Sequence, residues 1–394
     1  MVGVFCGIIG TVYALTGTLQ LGGLVNMVWF LDIVLITVIL LSIKLQVRKI
    51  KKKIIKTVIF LLKLLMIVGT ALYLVSTDDK VAYSNGDLLL AVYICLIGDV
   101  TASAVMYIYH IIRHEKDKKE RISQHMMAHG GIGVGVTFVV LVFGLWNGSH
   151  IRKCTHTVES DQLKKTHTIA FISDTHVGGG KSMKSLIKLC NDVNAAQPDI
   201  VILGGDITDE LTTHDEFIEA YSILSTIESP TYFVYGNHDR QLCEEYVGGR
   251  TYTDEELIQR IEKSGIKILT DEYMKVADDL VFLGREDISS NDRVKWKDLS
   301  NPYEGKGALI VADHQPYDSD QLKKESSTLQ LSGHTHDGQL WPLNILYEMI
   351  GLPTHGKYKE PKTNLIVTAG AAEWGLPFRT TGHCEWELVT LQPK

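Results

Sequence analysis

Residues 328–336 read Thr-Leu-Gln-Leu-Ser-Gly-His-Thr-His. A largely apolar run stops at glycine, and two histidines follow one residue apart. The same grammar recurs upstream. Thr168–Ser173 stops at Asp174-Thr175-His176, and Asp199–Leu203 at Gly204-Gly205-Asp206. Thr231–Tyr235 stops at Gly236-Asn237-His238-Asp239, and Ala308–Ala312 at Asp313-His314. Between these runs lie segments with helical patterning, Ser182–Asn194, Asp215–Ser225 and Asp254–Ser264. Strands interleaved with helices predict an α/β sheet fold. Functional groups in open α/β sheets gather beyond the carboxyl ends of the strands. Five strand ends bearing ligand-type side chains are therefore expected to converge on one crevice.

The residue types fit metal chemistry. Asp-x-His leaving a strand places two ligand side chains on the same side of the chain. Carboxylate, imidazole and amide oxygen together suit Mn, Fe or Zn better than Ca or Mg. Two such ions about 3.5–4 Å apart can share one carboxylate, clamp a phosphate and deprotonate a bridging water. Glycines before Asp206, Asn237 and His334 permit the bends and close approach that such a site needs. A lone Asp-x-His is usually a turn. The ordered assembly of all five motifs at strand ends is what argues for a two-metal centre.

The set Asp174-x-His176, Gly205-Asp206, Gly236-Asn237-His238-Asp239, His314 and Gly333-His334-x-His336 resembles the calcineurin-like metallophosphoesterase superfamily, over about residues 166–394. Gly338-Gln339, Gly356-x-Tyr358, Ala369-Gly370 and Pro377-x-Arg379 are similar to its membrane-associated bacterial subgroup, the UDP-2,3-diacylglucosamine hydrolase-like and YkuE- or YaeI-like phosphodiesterases. Asp337 stands where that subgroup usually has glycine. The resemblance implies a metallophosphoesterase-type β-sandwich flanked by helices. It implies one divalent ion on Asp174, His176 and His336, a second on Asn237, His314 and His334, and Asp206 bridging them. His238 would serve the leaving oxygen as general acid or electrostatic stabiliser. Asp209 would orient it, since Gly205-Asp206-x-x-Asp209 matches the family pattern. Arg240, Arg285 and Asp287 lie near motif positions, and Arg240 is carried forward as a substrate contact. The plainer readings are a structural His238 and a helix-capping Asp209. The implied reaction is in-line attack on a phosphate ester, a diester by preference, by a hydroxide bridging the metals.

The rest of the 394-residue chain is of a different kind, and its net charge of −7 averages two unlike halves. Apolar stretches at about 24–43, 57–76, 88–110 and 130–146, with a weaker one at about 3–21, approach the roughly 20 residues that a spanning helix needs. Residues 1–147 are thus expected to be an all-α transmembrane region of four or five helices, followed by a linker at 148–165. Basic residues crowd two loops, Lys44 to Lys56 and Arg113 to Arg121, while the loop between them carries only Lys80. The positive-inside rule makes the two basic loops cytoplasmic and sends the polar half, 166–394, to the outer face of the cell membrane. Asp32 and Asp99 fall inside predicted spans, where an ionisable group is a functional candidate; the plainer reading is a bundle-facing carboxylate or one close to a helix end.

These features narrow the partners. The polar half has no basic stripe with interleaved aromatics, which excludes nucleic-acid binding as the expected role. A phosphate-ester substrate, lipid-linked if the bilayer supplies it, and the bilayer itself are the expected partners. Six cysteines show no CxxC pair and are expected to be free thiols, with a Cys154–Cys384 disulfide open if that half is exported. Asn147-Gly148-Ser149 matches a glycosylation sequon by chance, close to the last span. The rival class is a transport or signalling membrane protein whose outer domain binds metal without turnover. A cytoplasm-facing enzyme is a third reading, and it requires the charge rule to fail.

Overall fold

The computed structural model describes residues 131–394, apart from 180, 243–249, 317–326, 361–362 and 376, and for 131–138 it describes the backbone alone. Two six-stranded sheets make up the fold. The first runs β1 (Ile151–Ser160), β12 (Cys384–Pro393), β2 (His167–Ile172), β3 (Ile200–Leu203), β4 (Thr231–Phe233), β5 (Lys267–Ile268). The second runs β10 (Gly356–Lys359), β11 (Asn364–Val367), β9 (Leu329–Ser332), β8 (Ala308–Ala312), β7 (Leu280–Gly284), β6 (Glu272–Ala277). Strands β2 to β5 are mutually parallel, as are β7, β8, β9 and β11.

Alternation along the strands explains the layering. In β2, Ile169 and Phe171 join an apolar core with Phe282, Ile310 and Leu331 of the second sheet. Ala170 and Ile172 point the other way, into a core shared with helices. Both faces are covered, so β2 and β3 read as nearly unbroken apolar runs. The covering helices are α2 (Met183–Ala196), α3 (His214–Leu224) and α5 (Asp254–Lys263), with the one-turn α4 (Asn237–Arg240) between the last two in the chain. α2 buries Leu186, Leu189, Cys190 and Val193, one stripe at helical spacing. Thr213 with Glu216, and Thr253 with Glu256, form reciprocal capping boxes that fix where α3 and α5 begin. The expected sandwich flanked by helices is what the described residues form.

Two expectations about the chain's organisation change. Residues 148–165 are not a plain linker, because Ile151–Ser160 is a strand in ten-residue parallel register with β12. It reads as polar because it is an edge strand, exposed along much of its length. The expected spans at 3–21, 24–43, 57–76 and 88–110 lie outside the described residues. The one at 130–146 falls on helix α1 (Gly131–Gly148). Among the described residues no helix is long and apolar enough to cross a membrane.

The end of α1 is tied to the domain. Asn147 Nδ2 donates to Gly382 O at 2.8 Å, and Asn147 is 3% exposed, so the sequon amide is used internally. Cys154, Cys190 and Cys384 are free thiols. Cys384 faces Ile151 across the ladder while Cys154 faces Glu387. That three-residue offset, about 10 Å along a strand, separates Cys154 from Cys384 too far for a disulfide.

Candidate metal centre

Both sheets deliver side chains to one place. Strand β2 leads to Asp174 and His176, β3 to Asp206 and β4 to Asn237, while β8 and β9 of the second sheet lead to His314, His334 and His336. The strand ends are laced together by backbone hydrogen bonds. Asp174 N donates to Gly205 O at 3.0 Å, His176 N to Asp206 O at 3.1 Å, and Gly333 N to His314 O at 2.9 Å. The chain turns sharply at each ligand. Asp174, His176, Asp206, His334 and His336 all have positive φ, between 39° and 70°. Such backbone costs free energy for non-glycine residues and persists where surrounding structure imposes it, typically at functional sites. Two glycines make room. A Cβ on Gly236 would lie 2.2 Å from Asp206 Oδ1, and one on Gly333 2.2 Å from Asp174 Oδ2.

Six of the seven expected ligands fall into two triads. Asp174, His176 and His336 form one, and Asp206, His314 and His334 the other, each with ligand atoms within 4.8 Å of one another. His176 Nε2 and His336 Nε2 are 3.2 Å apart, and His336 Nε2 lies 3.4 Å from Asp174 Oδ1. Asp206 Oδ2 is 2.9 Å from His314 Nε2 and 4.0 Å from His176 Nε2, between the triads. The seventh, Asn237, accepts from Gln315 Nε2 through its amide oxygen at 3.5 Å.

Donor chemistry at His314 tests whether cations fit. Its Nδ1 lies 2.8 Å from Gly204 O, which calls for a proton on Nδ1. Its buried Nε2 has no hydrogen bond of acceptable geometry, although Asp206 Oδ2 is 2.9 Å away. Two electron-rich atoms that close need a proton or a cation between them. His336 repeats the pattern, with Nδ1 against Ala372 O at 3.2 Å and Nε2 turned toward His176 and Asp174. The fit is good for two ions of the Mn, Fe or Zn type.

The fields agree with that reading. Burial raises Asp174 above the ordinary carboxylate range, with Asp206 adding to it against the imidazoles of His314 and His176. Burial pushes Asp206 the same way, but His314, His238 and His176 outweigh it and hold Asp206 well below. His176 and His314 answer in kind. Burial works against their charged forms, yet the surrounding carboxylates lift His176 to about 9 and His314 well above the usual value. Burial and neighbouring cations instead press His334 down to about 3 and His336 well below normal. Protons on His176 and His314 thus compete for the positions that cations would take.

The neighbours of His238 and Asp209 differ from expectation. Asp209 Oδ2 lies 3.3 Å from His176 Nδ1, against the far side of an expected ligand. Glu210 Oε2 lies 2.8 Å from His238 Nδ1. The turn that exposes the β3 end thus sends consecutive carboxylates to different imidazoles. The Gly-Asp-x-x-Asp pattern singles out Asp209 and gives no sign of Glu210. Asp209 also accepts from Leu211 N, an Asx turn within the loop, while the helix that follows is capped by Thr213 instead. His238 N donates to Asp206 Oδ1 at 2.8 Å, and its ring lies 5.1 Å from that of His176.

Arg240 is engaged elsewhere: it pairs with Glu286 and stacks on Tyr235 at 4.0 Å from the ring centroid. Arg285 pairs with Asp271 over the Trp296 ring, and Asp287 accepts from Gln315. Three supporting residues have roles that the sequence does not reveal. The Asp239 carboxylate accepts from the backbone of Asp206, Ile207 and Gly236, at 2.8 to 3.0 Å, and so joins two ligand loops. Gln315 links Asn237 to Asp287. The buried Arg379 donates to His336 O, Ala369 O and Ala372 O, which fixes the last ligand loop. Asp337 adopts φ 50° and ψ 36°, a left-handed conformation that glycine takes freely and that aspartate tolerates better than most residues.

Comparison with known proteins agrees with the residues. The calcineurin-like phosphoesterase family matches residues 167–338. An uncharacterized metallophosphoesterase of Helicobacter pylori is 30% identical over 244 residues, covering 59% of this chain and 62% of that protein. The matched stretch thus spans less than two thirds of that relative's length. The metallophosphoesterase YkuE of Bacillus subtilis is 26% identical, over 61% of this chain and 86% of its own length. A transmembrane protein with metallophosphoesterase domain from Danio rerio is 24% identical, over 72% and 67% of the two chains. Among solved structures, TT1561 of Thermus thermophilus gives a TM-score of 0.35 at 12% identity, covering 52% of this chain and 91% of that one. Ligand-type residues at five strand ends, the two triads and the family match lead to one assignment: the chain carries a calcineurin-like metallophosphoesterase domain.

Proposed function

We propose that this chain is a membrane-anchored, dinuclear-metal phosphoesterase acting on a phosphodiester at the outer face of the membrane. The observation that carries the chemistry is the pair of triads flanking Asp206, with His314 Nε2 and Asp206 Oδ2 2.9 Å apart, a spacing that places a proton or a cation between them. Asp174, His176 and His336 would hold one divalent ion, Asn237, His314 and His334 the other, and Asp206 both. Divalent ions held there would supply Lewis-acid polarisation of a phosphoryl oxygen and lower the pKa of water towards neutrality.

The chain's own groups do the rest. Asp239 and Arg379 hold the ligand loops so that little reorganisation accompanies the reaction. With Nδ1 committed to Glu210, His238 exchanges protons through Nε2 and can protonate the departing oxygen. Asp209 keeps the His176 ring oriented. Trp374, with its ring 5.7 Å from that of His238, walls the leaving-group side.

Support for the membrane and for an amphiphilic substrate is of a different kind. Apolar runs precede the domain, and two relatives are named transmembrane proteins with metallophosphoesterase domains. α1 exposes Val139, Phe143 and Trp146. Apolar side chains are also exposed in the segment that follows the His334–His336 loop, Trp341 at 61% and Met349 and Ile350 at 77% each. Gln339, at the start of that segment, accepts from Trp374 N and donates to Trp374 O, and the Trp374 ring lies beside His238. An acyl chain or lipid anchor could lie there while its phosphate sits at the triads.

Treating the detergent-solubilised chain with a chelator should abolish hydrolysis of bis-p-nitrophenyl phosphate, and Mn or Zn should restore it. A chelator-resistant rate would remove the two-metal reading. Protease added to intact cells should cut within residues 166–394, and protection of that half would reverse the orientation.

A further inference from the structure

Away from the proposed active site, the β1–β12 seam gathers another set of ligand-type side chains. Cys154 on β1, His383 in the turn before β12 and Glu385 on β12 meet there, their ligand atoms within 4.8 Å of one another. Cys154 Sγ lies 3.0 Å from Glu385 Oε2 and 3.3 Å from His383 Nε2. His383 Nε2 lies 3.1 Å from that same oxygen. The other oxygen, Oε1, accepts from Ala369 N at 2.8 Å and faces His355 Nε2 at 2.9 Å. Glu385 is fully buried, whereas Cys154 and His383 remain partly open to solvent.

We propose that Cys154, His383 and Glu385 form a third metal site, selective for zinc, which joins the first strand of the domain to the last. Three different donor atoms converge pairwise on one point, with mutual spacings of 3.0 to 3.3 Å. Tetrahedral zinc, with bonds of about 2.0–2.3 Å, spaces its ligand atoms roughly 3.3–3.7 Å apart. Openings of about 0.2–0.5 Å between the donor atoms therefore admit the ion. Thiolate with imidazole and carboxylate favours zinc over manganese or magnesium. His355 and Ala369 N, bound to the opposite oxygen, fix the carboxylate as outer partners of metal ligands do. Solvent reaches the cluster through Cys154 and His383, which gives the ion an entry path and a water as fourth ligand. In the metal-free chain, burial and Glu385 hold the Cys154 thiol protonated. Binding releases that proton to solvent as the sulfur–zinc bond forms, with no change of oxidation state.

The seven ligands proposed for the active site include no sulfur, and this separates the two sites experimentally. The full chain loaded with Co2+ should show a near-ultraviolet thiolate-to-cobalt charge-transfer band. That band should persist in Asp206→Asn and vanish in Cys154→Ser. Absence of the band from the unaltered chain, or its survival in Cys154→Ser, would overturn the proposal. Alkylation of the unaltered chain, mapped to Cys154 by mass spectrometry, requires no variant. Labelling should be at least about tenfold slower in Zn2+ than after chelation, and equal rates would count against the site. Neither readout depends on turnover, so failure of the phosphoesterase reading leaves this test standing.

Discussion

Asp206 has two jobs that pull on its carboxylate at once. Oδ2 lies between the triads, and Oδ1 accepts from His238 N at 2.8 Å. At this scale the two neighbouring carboxylates, Asp209 and Glu210, have separable roles. Asp209→Asn should weaken metal binding about 10–100-fold, because it loosens the orientation of a ligand imidazole. Glu210→Gln should leave metal content intact and lower kcat about tenfold or more, through His238. Metal titration and steady-state kinetics on both variants would tell them apart, and equal effects would show that the pairing is wrong. Protons compete for the same atoms. His176 keeps its proton below about pH 9, so a cation must displace it at lower pH. Metal affinity should therefore rise with pH across the neutral range, with net proton release in calorimetry. A pH-independent affinity would contradict the assignment of His176. The ligand positions are readable in the sequence because residue type and strand-end placement are both local. Glu210 is not, since which of two adjacent acidic side chains faces which ring depends on the turn's backbone, set by long-range contacts.

At the scale of elements, glycines at strand ends govern how closely the loops approach. Gly236→Ala would drive a Cβ to 2.2 Å from Asp206 Oδ1, and Gly333→Ala one to the same distance from Asp174 Oδ2. Each should remove metal binding while the far-ultraviolet circular dichroism stays native-like. Each should also cost roughly 1–3 kcal/mol of stability, as overpacking does. Normal metal content in either variant would show the loops to be softer than described. Buried strands are readable as apolar runs ending in ligand-type residues, and three helices as capped, periodic segments. β1 is not, because Arg152, Lys153 and Glu159 stand in it along an exposed edge and leave no apolar run. β5 has only two residues, too few to leave a pattern.

For the whole molecule, the ladder between β1 and β12 closes the domain by joining its first strand to its last. A chain starting at residue 166 exposes an edge of β12 that β1 otherwise covers. It should unfold at a lower temperature than one starting at residue 148, and thermal melts of the two would show it. Equal melting temperatures would mean that β1 is an appendage. The family and the two-metal chemistry are legible in the sequence because the motifs carry ligand types in order. The supporting contacts of Asp239, Gln315 and Arg379 are not, since they form only once distant loops meet.

One measurement bears most directly on the two-metal assignment: hydrolysis of bis-p-nitrophenyl phosphate by the full chain and by its Asp206→Asn variant, each assayed with and without added divalent metal. A bridging Asp206 predicts a metal-dependent rate that falls at least about a hundredfold in the variant, whose thermal melt stays cooperative. A near-normal rate in Asp206→Asn, or a rate indifferent to metal, would contradict it.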